Sequence, residues 1–269
     1  MSLNLDRFRQ WFLAVFVGGV LIFVMAPLFV TLAMSFSDSY FVAFPPQGLT
    51  IRWYQQILTD RYFLSALALS GYLAFGSTIC ALLIGIPAAM ALARGRFPGR
   101  TILQGIILSP LIFPELVAGL ALMQVLSAAG MVDARLNLLI GYTLVAAPYV
   151  VRAVTTSLLL VDANLEDAAR TLGANRFVTF WKVTLPQIAP GVAAGAVFAF
   201  MISFDNLPMA LWLADSRYSP VPLMLMRQLN SVFDPSIPAM STVIIILALS
   251  GALVVERLVG MRRAASLQP

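Results

Sequence analysis

The chain contains no histidine. That removes Ser-His and Cys-His catalysis, histidine metal ligation and a histidine pH switch together. One cysteine is present, Cys80, inside an apolar run. It can form neither an intrachain disulfide nor a cysteine zinc site, so no metal site is expected. Lysine is almost absent: Lys182 is the single one, and no Gly-Lys-Ser/Thr occurs. Without a P-loop, the chain leaves any ATP chemistry to a partner. Charge is scarce as well, at 11% Asp, Glu, Lys and Arg. An average soluble domain carries about 25%. Basic residues outnumber acidic ones by 17 to 12. They are spread through short segments rather than gathered in one patch, which argues against nucleic acid as a partner.

What is abundant is apolar surface. Hydrophobic residues make up 60% of the 269 positions, and the mean hydropathy is +0.90. Such a chain is expected to be an all-α integral membrane protein, multi-pass and in contact with lipid. A helix needs about 20 residues to cross the hydrocarbon core. Six stretches qualify, at about 11–34, 64–93, 102–127, 136–160, 190–213 and 237–257. Residues 1–34 mimic a secretory signal, but the apolar stretch exceeds the usual h-region of about 7–15 residues. An uncleaved first span is expected. With the N-terminus inside, twelve of the 17 basic residues fall in cytoplasmic segments, among them Arg94, Arg96, Arg100, Arg170, Arg176 and Lys182. The positive-inside rule therefore places both termini and the 162–189 loop in the cytoplasm. No soluble domain or internal repeat is visible, so residues 1–269 form one transmembrane domain. In the first external loop, Pro45-Pro46-Gln47-Gly48 reads as a turn. Trp53 and Tyr54 suit the outer membrane interface.

The 162–189 segment is the longest polar stretch between spans. Asp162, Asn164, Glu166 and Asp167 fit the start of a helix, where the dipole favours acids. Leu165, Ala168, Ala169 and Leu172 follow at helical spacing, giving one apolar face. Gly173 fits the left-handed residue of a helix end. Asn175 can cap a second short helix carrying Phe177, Phe180 and Trp181. Pro186 and Pro190 are expected to stop that helix.

Two carboxylates fall inside spans. Glu115 follows Pro110 and Pro114 midway along the third. A carboxylate at mid-depth costs about 2.5–3.5 kcal/mol on insertion scales, so it should face protein or water. It either lies on a translocation path or ties a broken helix together. Asp205 occurs in Ser203-Phe204-Asp205-Asn206-Leu207-Pro208, in the outer half of the fifth span. It serves the path or caps a helix break before Pro208. Gly191-x-x-x-Gly195 offers a small surface for close packing, within this chain or against a second subunit.

Asp167-Ala168-Ala169, Gly173 and Val183-x-Leu185-Pro186 reproduce the spacing of the signature E-A-A-x3-G-x9-I-x-L-P. Asp stands for Glu, Val stands for Ile, and Glu166 lies one residue early. The segment resembles the coupling loop of permease subunits in binding-protein-dependent ABC importers. Pro114-Glu115 with Val117-x-Gly119-Leu120, and Ser203-x-Asp205, resemble the spermidine/putrescine-type branch and its second permease subunit. The resemblance implies the type I importer transmembrane fold in a bacterial inner membrane, with alternating access for a polyamine or related organic ion. It implies coupling through Glu166, Asp167, Ala168, Ala169, Gly173, Val183, Leu185 and Pro186. It implies a path involving Glu115, Phe204, Asp205 and Asn206. The implied partners are two ATPase subunits holding ATP and magnesium, a second and different permease, and an extracytoplasmic binding protein. The chain itself then binds no cofactor and is not an enzyme. A stand-alone channel or secondary transporter explains the intramembrane charges equally well, but gives the 162–189 loop no purpose.

Overall fold

The computed structural model describes residues 2–39, 45–231 and 235–250, with side chains from Gln10 onward. All regular structure among them is helical. The chain divides into two compact units, Met1–Arg61 with Arg227–Leu247, and Tyr62–Met226 with Ala248–Pro269.

The first unit opens with α1 (Ser2–Met34), a 33-residue helix that tolerates Pro27 in its interior. Over Gln10–Met34 its mean hydropathy reaches 2.7, yet its most apolar window buries no residue. The chain then folds back on itself. Trp53 of α2 (Arg52–Thr59) donates its indole N–H to the Ser37 carbonyl at 2.8 Å, and the Tyr54 and Ser35 hydroxyls are 2.6 Å apart. Trp53 is thus buried rather than spread along an interface, because its one donor finds a carbonyl inside the unit. The expected turn forms at Gly48, whose φ is +70°, beside a bond from the Asp38 amide to the Gln47 carbonyl. The helix Ile237–Ser250 carries the start of the sixth stretch; its remainder to 257 lies outside the described residues.

The second unit is built around α6 (Ala134–Leu160), which α3 (Arg61–Arg94) and α9 (Leu185–Phe204) flank. One core joins Ala81, Ala89 and Leu92 of α3 to Val150, Val154 and Leu158 of α6 and Ile188 and Ala199 of α9. A second joins Leu73, Leu138, Tyr142 and Val145 to Met209 and Leu213 of α10 (Leu207–Leu213). Lipid is as apolar as these side chains, so close van der Waals contact must hold the helices together. Small residues provide it. A Cβ on Gly195 would lie 3.1 Å from Val150 Cα, and one on Gly191 would lie 2.4 Å from Ser157 Cβ. The Gly191-x-x-x-Gly195 surface therefore packs on α6 of this chain. From the α3 side Gly85 meets the same Val150.

Four helices are long and apolar enough to cross a membrane, Gln10–Met34, Arg61–Arg94, Ala134–Leu160 and Arg176–Phe204. A fifth span arises if α4 (Arg100–Leu108) and α5 (Glu115–Ala128) count together. These bend by 105° at their break, so the third stretch is not one continuous helix. The cause is local: Pro110 lies in the 3-10 turn Ser109–Leu111, and Pro114, with no N–H to give, occupies the N-cap of α5. The fifth stretch departs from expectation at both ends. Pro186 and Pro190 do not stop the preceding helix. A π turn at Phe180–Thr184 joins α8 (Arg176–Thr179) to α9, and the wider turn accommodates the missing Pro186 donor. At its far end α9 stops at Phe204, and α10 begins beyond Asp205 and Asn206.

Candidate functional site

The 162–189 segment forms a helical knuckle. Asp162 caps α7 (Ala163–Thr171) by accepting the Asn164 amide at 2.9 Å. At the other end Gly173 has φ +89°. Its amide reaches the Arg170 carbonyl at 2.9 Å, and the Ala174 amide reaches that of Ala169 at 3.0 Å. This is the Schellman closure, which a residue with a Cβ adopts only under strain. Asn175 then caps α8 through the Val178 amide at 2.8 Å. The chain thus reverses within four residues and enters the long helix Arg176–Phe204.

The two acids of the knuckle have different environments. Glu166 is only 12% exposed in its side chain; Asp167 is 69% exposed. Glu166 Oε1 accepts the Thr184 hydroxyl at 3.1 Å and faces Arg94 Nη2 at 3.8 Å, while its Oε2 faces Arg170 Nη2 at 3.7 Å. Arg94 also donates to the Val161 carbonyl at 3.1 Å. One carboxylate thereby pins α7 to the end of α3 and to the π turn. Among the described residues, the Asp167 carboxylate pairs only with Arg170, at 3.0 Å. The acid facing inward is therefore the earlier one. The outward face is apolar: Leu172 is 89% exposed and Phe177 71%, with Leu165 and Trp181 also exposed. Ala168 is exposed and Ala169 half-buried beside them. Val183 lies in the π turn, and Leu185 and Pro186 open α9, with Leu185 packed on the core below.

The second constellation lies where the two helix breaks meet. Asn206 is 2% exposed and serves three elements. Its Nδ2 donates to Glu115 Oε2 at 3.0 Å, its Oδ1 caps α10 by accepting the Met209 amide at 3.0 Å, and its carbonyl accepts the Tyr142 hydroxyl at 3.1 Å. Asn206, not Asp205, is the cap of the break. Glu115 starts α5 and lines a cavity of about 400 Å³ with Pro110, Phe113, Leu144 and Met209. Asp205 is exposed at the end of α9, and its carboxylate has no hydrogen bond or ion pair among the described residues. Phe204 is half-buried and stacks on Phe200 at 5.8 Å. Close packing fixes the geometry, since a Cβ on Gly119 of α5 would lie 3.0 Å from the Trp212 ring of α10. No group of three or more possible metal-ligating residues occurs among the described residues.

Three contributors were not singled out from sequence. Arg94 read only as a topological charge, and Thr184 gave no signal. Tyr142 had one: a phenol in the middle of a span needs a hydrogen-bond partner.

The chain matches the family model described as "Binding-protein-dependent transport system inner membrane component" over residues 81–261. It is 28% identical to the spermidine/putrescine transport system permease protein PotC of Escherichia coli, over 87% of this chain and 88% of that one. It is 34% identical to the molybdenum transport system permease protein ModB of Mycobacterium bovis, over 77% and 86%. Among solved structures, a chain of a bacterial ABC transporter involved in import of the acidic polysaccharide alginate superposes with TM-score 0.71 at 20% identity, over 95% and 96%. With its several apolar helices and this match over most of its length, the chain is a multi-pass membrane protein of the binding-protein-dependent transport system inner membrane component family.

Proposed function

We propose that the chain is the non-catalytic permease subunit of an ATP-driven type I importer in a bacterial inner membrane. It acts as one transmembrane domain of six spans with both termini in the cytoplasm. The observation that carries this is the knuckle: an apolar face left exposed on a helix whose inner side is pinned by Glu166 to α3 and to the π turn. A family member with such a face has a surface suited to a cytoplasmic ATPase. Leu165, Ala168, Leu172 and Phe177 would enter the ATPase cleft, and Gly173 would keep the turn tight. Asp167, Ala169, Val183, Leu185 and Pro186 would shape and support the same surface. ATP and magnesium would be held by two such ATPase subunits. A second, different permease and an extracytoplasmic binding protein complete the complex. Closure of the ATPase dimer stabilises one access state over the other, and the knuckle passes that bias to the spans.

The substrate is a polyamine or a related organic cation. The support is Asp205, an unpaired carboxylate at a helix break inside a span, with Glu115 nearby on a neighbouring break and Phe204 beside it. Asn206 holds that arrangement from behind. The identity to a molybdenum permease favours a second reading, an oxyanion importer. An unpaired carboxylate on the path opposes it.

The test is reconstitution. The tagged chain is purified with the products of its neighbouring genes and placed in liposomes with the binding protein. Uptake of labelled putrescine that needs ATP inside and binding protein outside supports the proposal. Molybdate uptake under the same conditions supports the second reading. A chain recovered alone, passing solute without ATP, overturns both.

A further inference from the structure

At the ends of α3 and α6 remote from the knuckle lies a cavity of about 420 Å³. Its walls include Tyr62, Tyr72 and Leu69 of α3, Arg135 of α6, and Arg217 and Ser219 of the segment after α10. Two guanidinium groups line it, and no carboxylate does among the described residues. Arg135 rests over the Tyr72 ring at 4.0 Å, and Arg217 lies 5.5 Å from the Tyr218 ring. Neither side chain has a hydrogen bond or ion pair among the described residues. The acids nearest in sequence are occupied elsewhere. Asp133 Oδ1 accepts the amides of Arg135 and Leu136, and Asp215 Oδ1 accepts those of Arg217 and Tyr218. In the same wall Ser219 is 5% exposed, and its hydroxyl has no partner among the described residues. A buried hydroxyl is rarely left without one. Two cations with no ion pair and one hydroxyl with no hydrogen bond among the described residues, around one cavity, describe a site for an anion.

We infer that this cavity binds the phosphodiester headgroup of an anionic phospholipid. Three features choose a lipid. The site lies at the outer ends of two membrane-length helices, the depth at which headgroups are found. Its α3 residues, Tyr62 to Tyr72, lie about 22–32 positions, or roughly 33–48 Å of helix, from Arg94, and so toward the opposite leaflet from the knuckle. Its lining also combines the arginines and serines with apolar positions of α3, Ala66, Ala68 and Leu69. A phosphate would sit on the guanidinium groups and Ser219, with the glycerol and first acyl carbons against α3. A single carboxylate side chain from a protein would leave most of the volume empty.

The experiment uses the full chain in its native complex. The complex is purified in mild detergent and placed in nanodiscs of phosphatidylcholine with increasing phosphatidylglycerol. Native mass spectrometry counts retained phosphatidylglycerol, and the melting midpoint is followed in parallel. The wild type should retain one more phosphatidylglycerol than Arg135→Gln/Arg217→Gln and show a saturable rise in midpoint. A juxtamembrane cation contributes enough that each arginine lost should weaken binding roughly fivefold. Ser219→Ala should weaken binding with both arginines in place, which separates a built site from diffuse charge. Equal phosphatidylglycerol retention by wild type and double variant overturns the inference. So does equal protection of the wild type by inorganic phosphate, which would assign the site to a free anion. If wild type and double variant retain equal phosphatidylglycerol and only the wild type binds the extracytoplasmic binding protein, the site belongs to a protein carboxylate and the lipid is refuted.

Discussion

Replacing Asn206 with alanine should destabilise the fold far more than replacing Asp205, although Asp205 is the charged member of the pair. Asn206→Ala removes two things at once. The first is the interhelical bond to Glu115 at 3.0 Å. Such bonds inside membranes contribute about 0.6 kcal/mol on average and up to about 1.7, and a charged acceptor favours the upper end. The second is the cap on the Met209 amide, worth about 1 kcal/mol. The expected loss is therefore about 2–3 kcal/mol. Glu115→Ala breaks the same bond but keeps the cap, so it should lose about 1.5 kcal/mol, within the range for such bonds. A double-mutant cycle isolates the shared bond, with a coupling of about 1–2 kcal/mol. The assay is equilibrium unfolding in mixed micelles, followed by tryptophan fluorescence. Trp212 is well placed to report, because it packs against Gly119 at the same junction. Exchanging donor and acceptor with Asn206→Asp and Glu115→Gln together should recover most of the lost stability, while Asn206→Asp alone sets two carboxylates face to face. A coupling below about 0.3 kcal/mol, which is within ordinary additivity error, would refute the junction.

Asp205→Asn should leave the melting midpoint unchanged and lower putrescine uptake; full uptake at saturating and limiting substrate would remove Asp205 from the path. Gly173→Val forces a β-branched residue to φ +89°, at about 1–2 kcal/mol or more. Membrane insertion should survive and ATPase co-purification should fail, so normal recovery of the ATPase would contradict the docking role. Glu166→Ala should uncouple ATP hydrolysis from uptake, while Asp167→Ala, altering an exposed pair, should do so much less; equal effects would mean that the inward carboxylate has no special part. Gly191→Val drives a side chain into Ser157 and should cost about 1–3 kcal/mol or more, lowering folded yield. Gly18→Val, where a new Cβ meets nothing within 4 Å, is the control and should express normally.

The long apolar helices were legible because membrane spans are set by length and hydropathy, and Gln10–Met34, Arg61–Arg94 and Ala134–Leu160 follow the expected stretches closely. The knuckle was legible because caps are local: Asp162, Gly173 and Asn175 each act through backbone within five residues. The breaks were harder. Hydropathy averages across Pro110 and Pro114 and reports one span where there are two helices at 105°. Pro186 misled in the other direction, because a π turn can absorb a proline that an α-helix rejects. Which polar residue would carry a junction was not readable either. Asn206 and Glu115 are 91 positions apart, and no local pattern links them. Asn206 is preferred over Asp205 because the cap needs an acceptor and the neighbouring Glu115 carboxylate needs a donor, which only the amide supplies together.

The run from Arg176 to Phe204 has a mechanical consequence. Because the π turn replaces a loop, the knuckle is welded to a span instead of hung from one. At about 1.5 Å per residue the rod is about 43 Å long. Its closest lateral support is the contact of Gly191 and Gly195 with α6. Gly195 divides the rod into arms of about 29 Å toward Arg176 and about 14 Å toward Phe204. A rod rocking on that fulcrum halves the stroke delivered at its Arg176 end and doubles the force at Asp205. Small movements at the break beside Asn206 would then be driven by larger ones at the knuckle, with the mechanical advantage fixed by where two glycines fall along one helix.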